Sequence, residues 1–416
     1  MGNFMSLGFQ QGISIVFPLL VLPYLLRVLG ISGFGVFTLI QTGILYVDLL
    51  ITFGFNLTAT HRIAKAVNDT RLQKEIITAV YFIKWALFIA SIAAILLCVL
   101  FIPYLQQHIL LILFAALYLA GNLLFPDWYF QGIQQMRNCT IVTLVSKLIS
   151  LVLIILWVKH PEDIDLTFFA LATGNLLAGF IGFGLLWNKI KPKFGLPDWV
   201  FMKQVFKESS YVFVSIILVP LYSSVNIFIL QFFASPLIVG SYSVAQKIFN
   251  AASMITNVVS NTFFPHLSQL YGVSVQEYKT NINRLVVLLG GGFLILSVIQ
   301  FFGASFIIEL LAGKNKTEDI SYAVTILKII SFALFFSPFV SFFFQQMIIQ
   351  HQHKRSVTNI LITVVVNLIS ATVLAYYFSG IGMAVNICVV TMLICFLNAQ
   401  SVYKKIQLPV TGYGAK

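Results

Sequence analysis

The chain has 416 residues, of which 59% are hydrophobic and only 9% are charged, with a formal net charge of +12. Ordinary soluble domains carry about 25% charged residues, so this composition excludes a water-soluble globular protein. A chain so poor in charge and so rich in apolar side chains needs lipid over most of its surface.

Apolar stretches long enough to cross a bilayer recur along the whole chain. Because a membrane-spanning helix needs roughly 20 such residues, they predict an all-α membrane protein with about 12 transmembrane helices joined by short loops. In chain order, the predicted spans are 4–27, 33–57, 76–103, 108–131, 139–158, 167–188, 209–233, 237–263, 284–311, 321–350, 356–378 and 380–403.

The basic residues are distributed unevenly between the two sides of these spans. With the N-terminus placed in the cytoplasm, most of the 25 Lys and Arg, such as Arg62, Lys65 and Lys404, fall on that side. This positive-inside pattern predicts that both termini are cytoplasmic. The distribution of positive charge therefore indicates the orientation of the chain in the membrane. We expect no nucleic-acid partner.

The two halves of the chain carry a weak internal repeat. The segment GVFTLIQ at 35–41 resembles GSYSVAQ at 240–246, and Pro126 and Pro338 lie in matching spans. An even number of spans in each half makes the repeat parallel, and substrate sites of such transporters commonly lie between the halves. The predicted organisation is an N-terminal six-helix bundle, a cytoplasmic linker, and a C-terminal six-helix bundle with a short cytoplasmic tail, at 1–190, 191–208 and 209–416.

Two predicted spans carry polar residues at helical spacing. The members of the stripe in span two include Gln41, Asp48 and Asn56, and those in span eight are Lys247, Asn250, Asn257 and Asn261. Polar groups are costly in hydrocarbon, so such stripes indicate either a water-filled cavity or hydrogen bonding between packed helices. We favour a shared cavity between the halves, and the second interpretation stays open.

Ionisable residues inside the spans are few, and four are cations that we expect near such a cavity: Arg27, Lys84, Lys247 and Lys328. A cavity with more cations than carboxylates suits an anionic substrate such as a phosphate. The carboxylates Asp48 and Asp127 either pair with these cations or carry protons in coupling, and the sequence does not choose between the two roles.

The sequence has no motif that indicates catalysis. It lacks a phosphate-binding loop of the ATPase type and a recognisable nucleophile–base set, and its four cysteines have no metal-ligand spacing. We therefore expect a transporter without cofactor or metal, and not an enzyme. The alternatives are an ion-coupled exporter of small drugs, a membrane glycan polymerase or ligase, and a structural membrane protein.

Three segments carry a family resemblance. The segment LPYLLRVLG at 22–30 resembles the first hairpin of the Wzx polysaccharide flippases. The most specific segment, GFNLTATHRIAK at 54–65, is similar to the end of helix two in their O-antigen transporter branch, and PDWYFQG at 126–132 is similar to the end of helix four. That family belongs to the MOP exporter superfamily, together with the MurJ lipid II flippases and the MATE exporters.

The resemblance implies twelve helices in two pseudo-symmetric bundles in the bacterial cytoplasmic (inner) membrane. It implies movement of an undecaprenyl-diphosphate-linked oligosaccharide, such as an O-antigen repeat unit of lipopolysaccharide, from the inner to the outer leaflet. Alternating access would be driven by an ion gradient or by the membrane potential, with H⁺ or Na⁺ as the candidate coupling ions. The chain would be a monomer that associates with membrane lipid, a glycan polymerase and a chain-length regulator.

The resemblance gives a role to Arg27 alone, and the roles of the other predicted site residues are our own hypotheses. Arg27 matches the arginine of the family's R-V-L-G segment, so a role at the diphosphate or in gating carries over to it. We expect Lys84, Lys247 and Lys328 to join it at the diphosphate. We expect the sugar to pass along the amides, which are Gln41, Asn56, Asn250, Asn257 and Asn261. Asp48 and Asp127 are the candidates for ion coupling.

Overall fold

The computed structural model describes residues 2–101, 106–191, 198–313 and 320–407. Most side chains before Val16, and those of Asn257 and Val258, lie outside the described residues. Most of the first half of the predicted linker and the predicted tail after Gln407 also lie outside them.

All regular structure in these described ranges is helical. The thirteen described helices are α1 (Gly2–Thr52), α2 (Phe55–Lys65), α3 (Thr70–Phe101), α4 (Ile109–Leu124), α5 (Asp127–Gly132), α6 (Met136–Trp157), α7 (Ile164–Ile190), α8 (Trp199–Ser223), α9 (Val225–Gln231), α10 (Pro236–Val273), α11 (Val275–Ala312), α12 (Ser321–Ile349) and α13 (His353–Gln407).

Within the described ranges, nine helical stretches are long and apolar enough to cross a membrane. The first and the last, Val16–Lys65 and His353–Ile406, have 50 and 54 residues, far more than the roughly 20 that one crossing needs. The helix of each has a non-helical residue inside it, Gly30 in α1 and Ser379 in α13. The prediction of an all-helical multi-pass membrane protein is confirmed.

The break at Gly30 has a local cause. Its φ of 71° and ψ of 178° are readily adopted only by glycine, because a Cβ would clash there. A second break follows α1, where Phe53 and Gly54 have φ of 43° and 77°. The helix predicted to continue through residue 57 therefore ends at Thr52, and a new helix starts at Phe55.

The chain forms two compact units, Met1–Pro220 and Leu221–Lys416. The sequence places the start of the second bundle at 209, so the two divisions differ. The reason lies in α8, whose first part packs on residues of the first unit. Phe206 and Phe213 both stack on the ring of Phe53, with centroids 4.6 and 4.8 Å away.

In the first unit, small residues let α4 and α7 cross closely. A Cβ on Gly121 would lie 2.5 Å from the backbone carbonyl of Asn175, and one on Gly179 would lie 2.5 Å from the carbonyl oxygen of Gly121. Close backbone approach at small residues is a common way for helices to associate in a membrane. The crossing brings polar side chains next to Gly121 within hydrogen-bonding reach of α7.

In the second unit, α12 packs against α10, α11 and α13. Its buried aromatic side chains, including Phe339, Phe342 and Phe343, form a core with Tyr278 and Phe293 of α11. Such rings bury a large apolar area, so they hold α12 between its neighbours.

One feature recurs near the ends of two helices that the repeat matches. Gln134 and His351 both adopt positive φ, at 56° and 55°. The amide of Gln135 donates to Phe130 O, and the amide of Gln352 donates to Met347 O, each at 2.8 Å. This five-residue return bond with a left-handed residue is the Schellman pattern that ends a helix.

Candidate functional site

Two carboxylates and an ammonium group come together inside the first unit. Asp48 lies on α1, Lys84 on α3, and Asp127 at the first position of α5. The side chain of Lys84 is only 1% exposed and interacts electrostatically with both carboxylates. Because a buried charge without a counter-charge is strongly destabilising, the carboxylates compensate the ammonium group of Lys84. We call Asp48, Lys84 and Asp127 the charged triad.

A chain of amides connects the charged triad to two further helices. Asn175 on α7 donates from Nδ2 to Oδ1 of Asn122 on α4 at 3.0 Å. Asn122 in turn donates from Nδ2 to Oδ1 of Asp48 at 3.3 Å. The sequence prediction missed Asn122 and Asn175, although an amide inside an apolar span is itself a signal of a polar contact.

The third member of the charged triad is held by the backbone. Pro126 separates α4 from α5, and the carboxylate of Asp127 accepts the amide of Trp128 at 2.8 Å. Together the three ionised side chains would carry one excess negative charge. One proton, or one monovalent cation, would bring the triad to neutrality, which is the state that an apolar interior favours.

The second unit contains a cavity with a volume of about 210 Å³, lined by uncharged polar and apolar side chains. Nine of its fourteen lining side chains are neutral and polar, and none of the fourteen is ionisable at neutral pH. One wall is the face of α10 that presents Gln246, Phe249, Asn250 and Ser253. These positions are spaced i, i+3, i+4 and i+7, so they share one side of the helix.

A second chain of amides supports this cavity. Asn386 on α13 donates to Asn367 at 2.7 Å, and Asn367 donates to Asn226 on α9 at 3.0 Å. All three are buried, at 2% exposure or less. On the α10 side, the amide of Gln246 donates to the carbonyl of Ser223 at 2.8 Å. These bonds connect α9 to α13, and α10 to the end of α8, beside the cavity.

A match to one known protein family covers more than half of this chain. The family described as "Polysaccharide biosynthesis protein" matches residues 1–271. The chain belongs to that family. This polysaccharide biosynthesis protein is also similar over nearly its full length to two curated proteins, both named "Putative O-antigen transporter". The one from Escherichia coli (strain K12) is 29% identical, covering 94% of each chain. The one from Shigella dysenteriae is 27% identical, covering 96% of this chain and 99% of the relative.

Two solved structures show the same fold. The lipid II flippase MurJ, in an inward closed conformation, superposes with a TM-score of 0.71, covering 97% of this chain and 88% of MurJ. An inward-facing multidrug resistance MATE family transporter of the MOP superfamily gives 0.67, covering 94% and 98%. Both are only 14% identical, so this likeness concerns the fold. The family match confirms the resemblance to a polysaccharide family, and the two solved structures show that the chain has the fold of MurJ and of the MATE transporter.

In this polysaccharide biosynthesis protein, the predicted site residues of the first half lie in different surroundings. Arg27 is exposed on α1, and Gln41 is half-buried farther along the same helix. Asn56 is exposed on α2, beyond the break at Gly54. The predicted stripe is therefore interrupted before Asn56. Lys84, at 1% exposure, presents almost no surface to a ligand and lies in the charged triad.

The predicted residues of the second half are also separated. Lys247 is half-buried, and Lys328 lies with its Nζ 5.9 Å from the ring centroid of Phe301. Asn261 is exposed and accepts a hydrogen bond from Gln345 at 2.7 Å. The side chain of Asn257 is outside the described residues. Of the described side chains in the predicted stripe on α10, only Asn250 lines the cavity, and the structure adds Gln246 and Ser253.

Metal ligation has no support among the described residues. No group of three or more His, Cys, Asp or Glu side chains in these ranges could hold a metal ion. Among the described residues, the charged triad lies within the first unit and the cavity with uncharged walls lies within the second.

Proposed function

We propose that this protein is a flippase for a lipid-linked oligosaccharide, such as an O-antigen repeat unit. The observation that carries the proposal is the similarity, over at least 94% of the chain, to two proteins named as O-antigen transporters. Family membership and a fold shared with a lipid II flippase support it. The direction of movement in this proposal is from the inner to the outer leaflet of the bacterial cytoplasmic membrane.

The proposed topology has twelve crossings. Nine stretches qualify by length and apolar character, and the breaks at Gly30 and Ser379 would divide two of them into four crossings. The remaining crossing is α10, whose 38 residues are long enough but carry many polar side chains. An even number of crossings agrees with cytoplasmic termini, which the positive-inside distribution predicts.

The diphosphate of the substrate would be bound by cations. Arg27 is the first candidate because it is exposed, and Lys247 and Lys328 are candidates as half-buried lysines. Both side-chain types bind phosphate, and Arg does so with two parallel hydrogen bonds. Lys84 is reassigned, because its burial and its electrostatic interaction with two carboxylates suit a role in ion coupling better than a role in substrate binding.

Ion coupling would use the charged triad. Its excess negative charge can be relieved by one H⁺ or one Na⁺, and the binding site would be Asp48 or Asp127. The amides of Asn122 and Asn175 would transmit the change from α1 to α4 and α7, since Asp48 accepts a hydrogen bond from Asn122. Loss of a charge at Asp48 would weaken that bond.

The experiment is genetic complementation followed by transport in vesicles. A strain that makes the surface glycan and lacks this gene should accumulate lipid-linked repeat units, and the wild-type gene should restore surface display. We expect Asp48→Asn to reduce display strongly, whereas Asp69→Asn, a change at an exposed loop carboxylate, should not. Normal display in the deletion strain, with no second flippase present, would refute the function.

Proteoliposomes then test the coupling. An imposed proton or sodium gradient should accelerate movement of the lipid-linked repeat by the wild-type protein and have a smaller effect on Asp48→Asn. If the gradient instead drives export of a small cationic drug and leaves the lipid in place, the drug-exporter alternative replaces our proposal.

A further inference from the structure

We propose that the cavity of the second unit is a binding subsite for one uncharged sugar residue. The cavity is defined by Tyr222, Gln246, Phe249, Asn250, Ser253 and Thr391, with the amides described above behind them. This inference rests on the proposed flippase function and names the part of the substrate that the second unit would recognise.

The chemistry of the walls selects the ligand class. Amides and hydroxyls both donate and accept hydrogen bonds, as the hydroxyls of a sugar do. No lining side chain carries a charge that would attract a diphosphate, and nine of the fourteen side chains bring polar groups to walls that also have much apolar surface. This combination matches a sugar ring, which has hydroxyl groups at its edge and C–H groups on its faces. The rings of Tyr222 and Phe249 offer apolar surface for the C–H faces of a sugar ring.

One buried polar group at the cavity lacks a partner among the described residues. The hydroxyl of Ser253 is buried and makes no hydrogen bond to any of them. Tyr222, Asn250 and Thr391 add further polar groups to the same walls. A buried hydroxyl without a hydrogen bond is costly, so Ser253 indicates that the cavity takes a polar ligand or water.

The volume sets the size of the ligand. A cavity of about 210 Å³ corresponds to the volume of about seven water molecules, at about 30 Å³ each. That is enough for a single sugar ring and too little for a whole oligosaccharide. The subsite would therefore contact one residue of the repeat unit and contribute to the choice of glycan.

The test measures binding to the full-length protein in lipid nanodiscs. One probe is the lipid-linked oligosaccharide extracted from a strain that lacks this gene, and the other is undecaprenyl diphosphate without sugar. The test variant combines Asn250→Ala with Thr391→Val. The control combines Asn281→Ala with Thr372→Val, since those side chains already bond to backbone carbonyls of their own helices.

We expect the wild-type protein and the control to bind the glycosylated lipid more tightly than the sugar-free lipid. The test variant should bind the glycosylated lipid about tenfold more weakly, as expected for two lost neutral hydrogen bonds. Its affinity for undecaprenyl diphosphate should be unchanged, which would also show that it is folded.

Two other outcomes would overturn the inference. One refutes the sugar subsite alone, and the other refutes the proposed function as well. If the test variant binds both lipids as the wild type does, the sugar subsite is refuted and the flippase proposal stands. If the wild-type protein binds neither lipid, the proposed function fails, and the subsite that rests on it fails as well.

Discussion

Asn175 donates its side-chain amide to Asn122 at 3.0 Å, across a close crossing of α4 and α7 in the first unit. The bond exists because Gly121, the residue before Asn122, lets the backbone of α7 approach α4. A Cβ at Gly121 would lie 2.5 Å from the carbonyl of Asn175. Packing at one glycine thus determines a polar connection that reaches Asp48.

Gly121→Ala tests this packing. We expect it to lower the free energy of unfolding by about 1–3 kcal/mol, because the added methyl group overpacks a backbone contact. The control is Gly184→Ala on α7, where a Cβ would meet nothing within 4 Å. That change should be neutral or stabilising by up to about 1 kcal/mol, through helix propensity. Thermal unfolding of the purified variants in detergent measures both, and equal melting temperatures would contradict the packing argument.

Lys84→Met tests the charged triad. Removing the ammonium group leaves two carboxylates without their counter-charge, so we expect a destabilisation of about 3–5 kcal/mol and a low yield. Adding Asp127→Asn should recover part of this loss, because it removes one of the two unpaired charges. Lys159→Met, at an exposed loop lysine, serves as the control and should be close to wild type. A Lys84→Met protein as stable as the wild type would show that the triad is not formed.

A disulfide crosslink between Thr58→Cys and Ser209→Cys tests the packing of α8 on α2. The hydroxyl oxygens of Thr58 and Ser209 are 2.7 Å apart, and Arg62 forms an ion pair with Glu208 at 2.7 Å beside them. After Cys98, Cys139, Cys388 and Cys395 are replaced by Ser, the pair Thr58→Cys and Ser209→Cys should form a disulfide under oxidation. Cleavage in the intervening chain, followed by non-reducing electrophoresis, detects it.

The control pair for this crosslink is Thr58→Cys with Ser215→Cys. Ser215 is exposed nearly two turns farther along α8, so its sulfur would be out of disulfide range. Crosslinking of the control pair but not of the first would mean that α8 packs in a different register.

Asp163 lies outside the predicted spans, and its carboxylate should make the stability of the protein depend on pH. Its carboxylate accepts the amides of Lys159 and His160, each at 2.8 Å, and the bond from Lys159 is the main reason that the pKa of Asp163 is lowered. A lowered pKa in the folded state means that the stabilising contribution is complete above the unfolded-state pKa. It is lost as the pH falls through the folded-state pKa.

Asp163→Asn should therefore be less stable than the wild type at neutral pH, with the difference shrinking as the medium becomes more acidic than the ordinary Asp pKa. Melting temperatures across a pH series measure this. A difference that grows on acidification would contradict the assignment of these hydrogen bonds to the carboxylate form.

The amino-acid sequence by itself determined that this protein crosses the membrane many times. Charge content and apolar spans suffice for that, because the bilayer restricts a chain of this composition to helices or closed barrels. The segments around Arg27, Asn56 and Asp127 indicated the family, which the match over residues 1–271 confirms.

Only the tertiary structure decided which polar residues meet. Helical spacing shows which residues share a face of one helix, but it does not show which neighbouring helix that face contacts. For this reason Lys84 was predicted to bind the substrate and is found buried, in electrostatic interaction with Asp48 and Asp127, while Asn122 and Asn175 were missed. On α10 the cavity wall uses Gln246 and Ser253 with Asn250, because packing against α9 and α13 selects the side of the helix that faces the cavity.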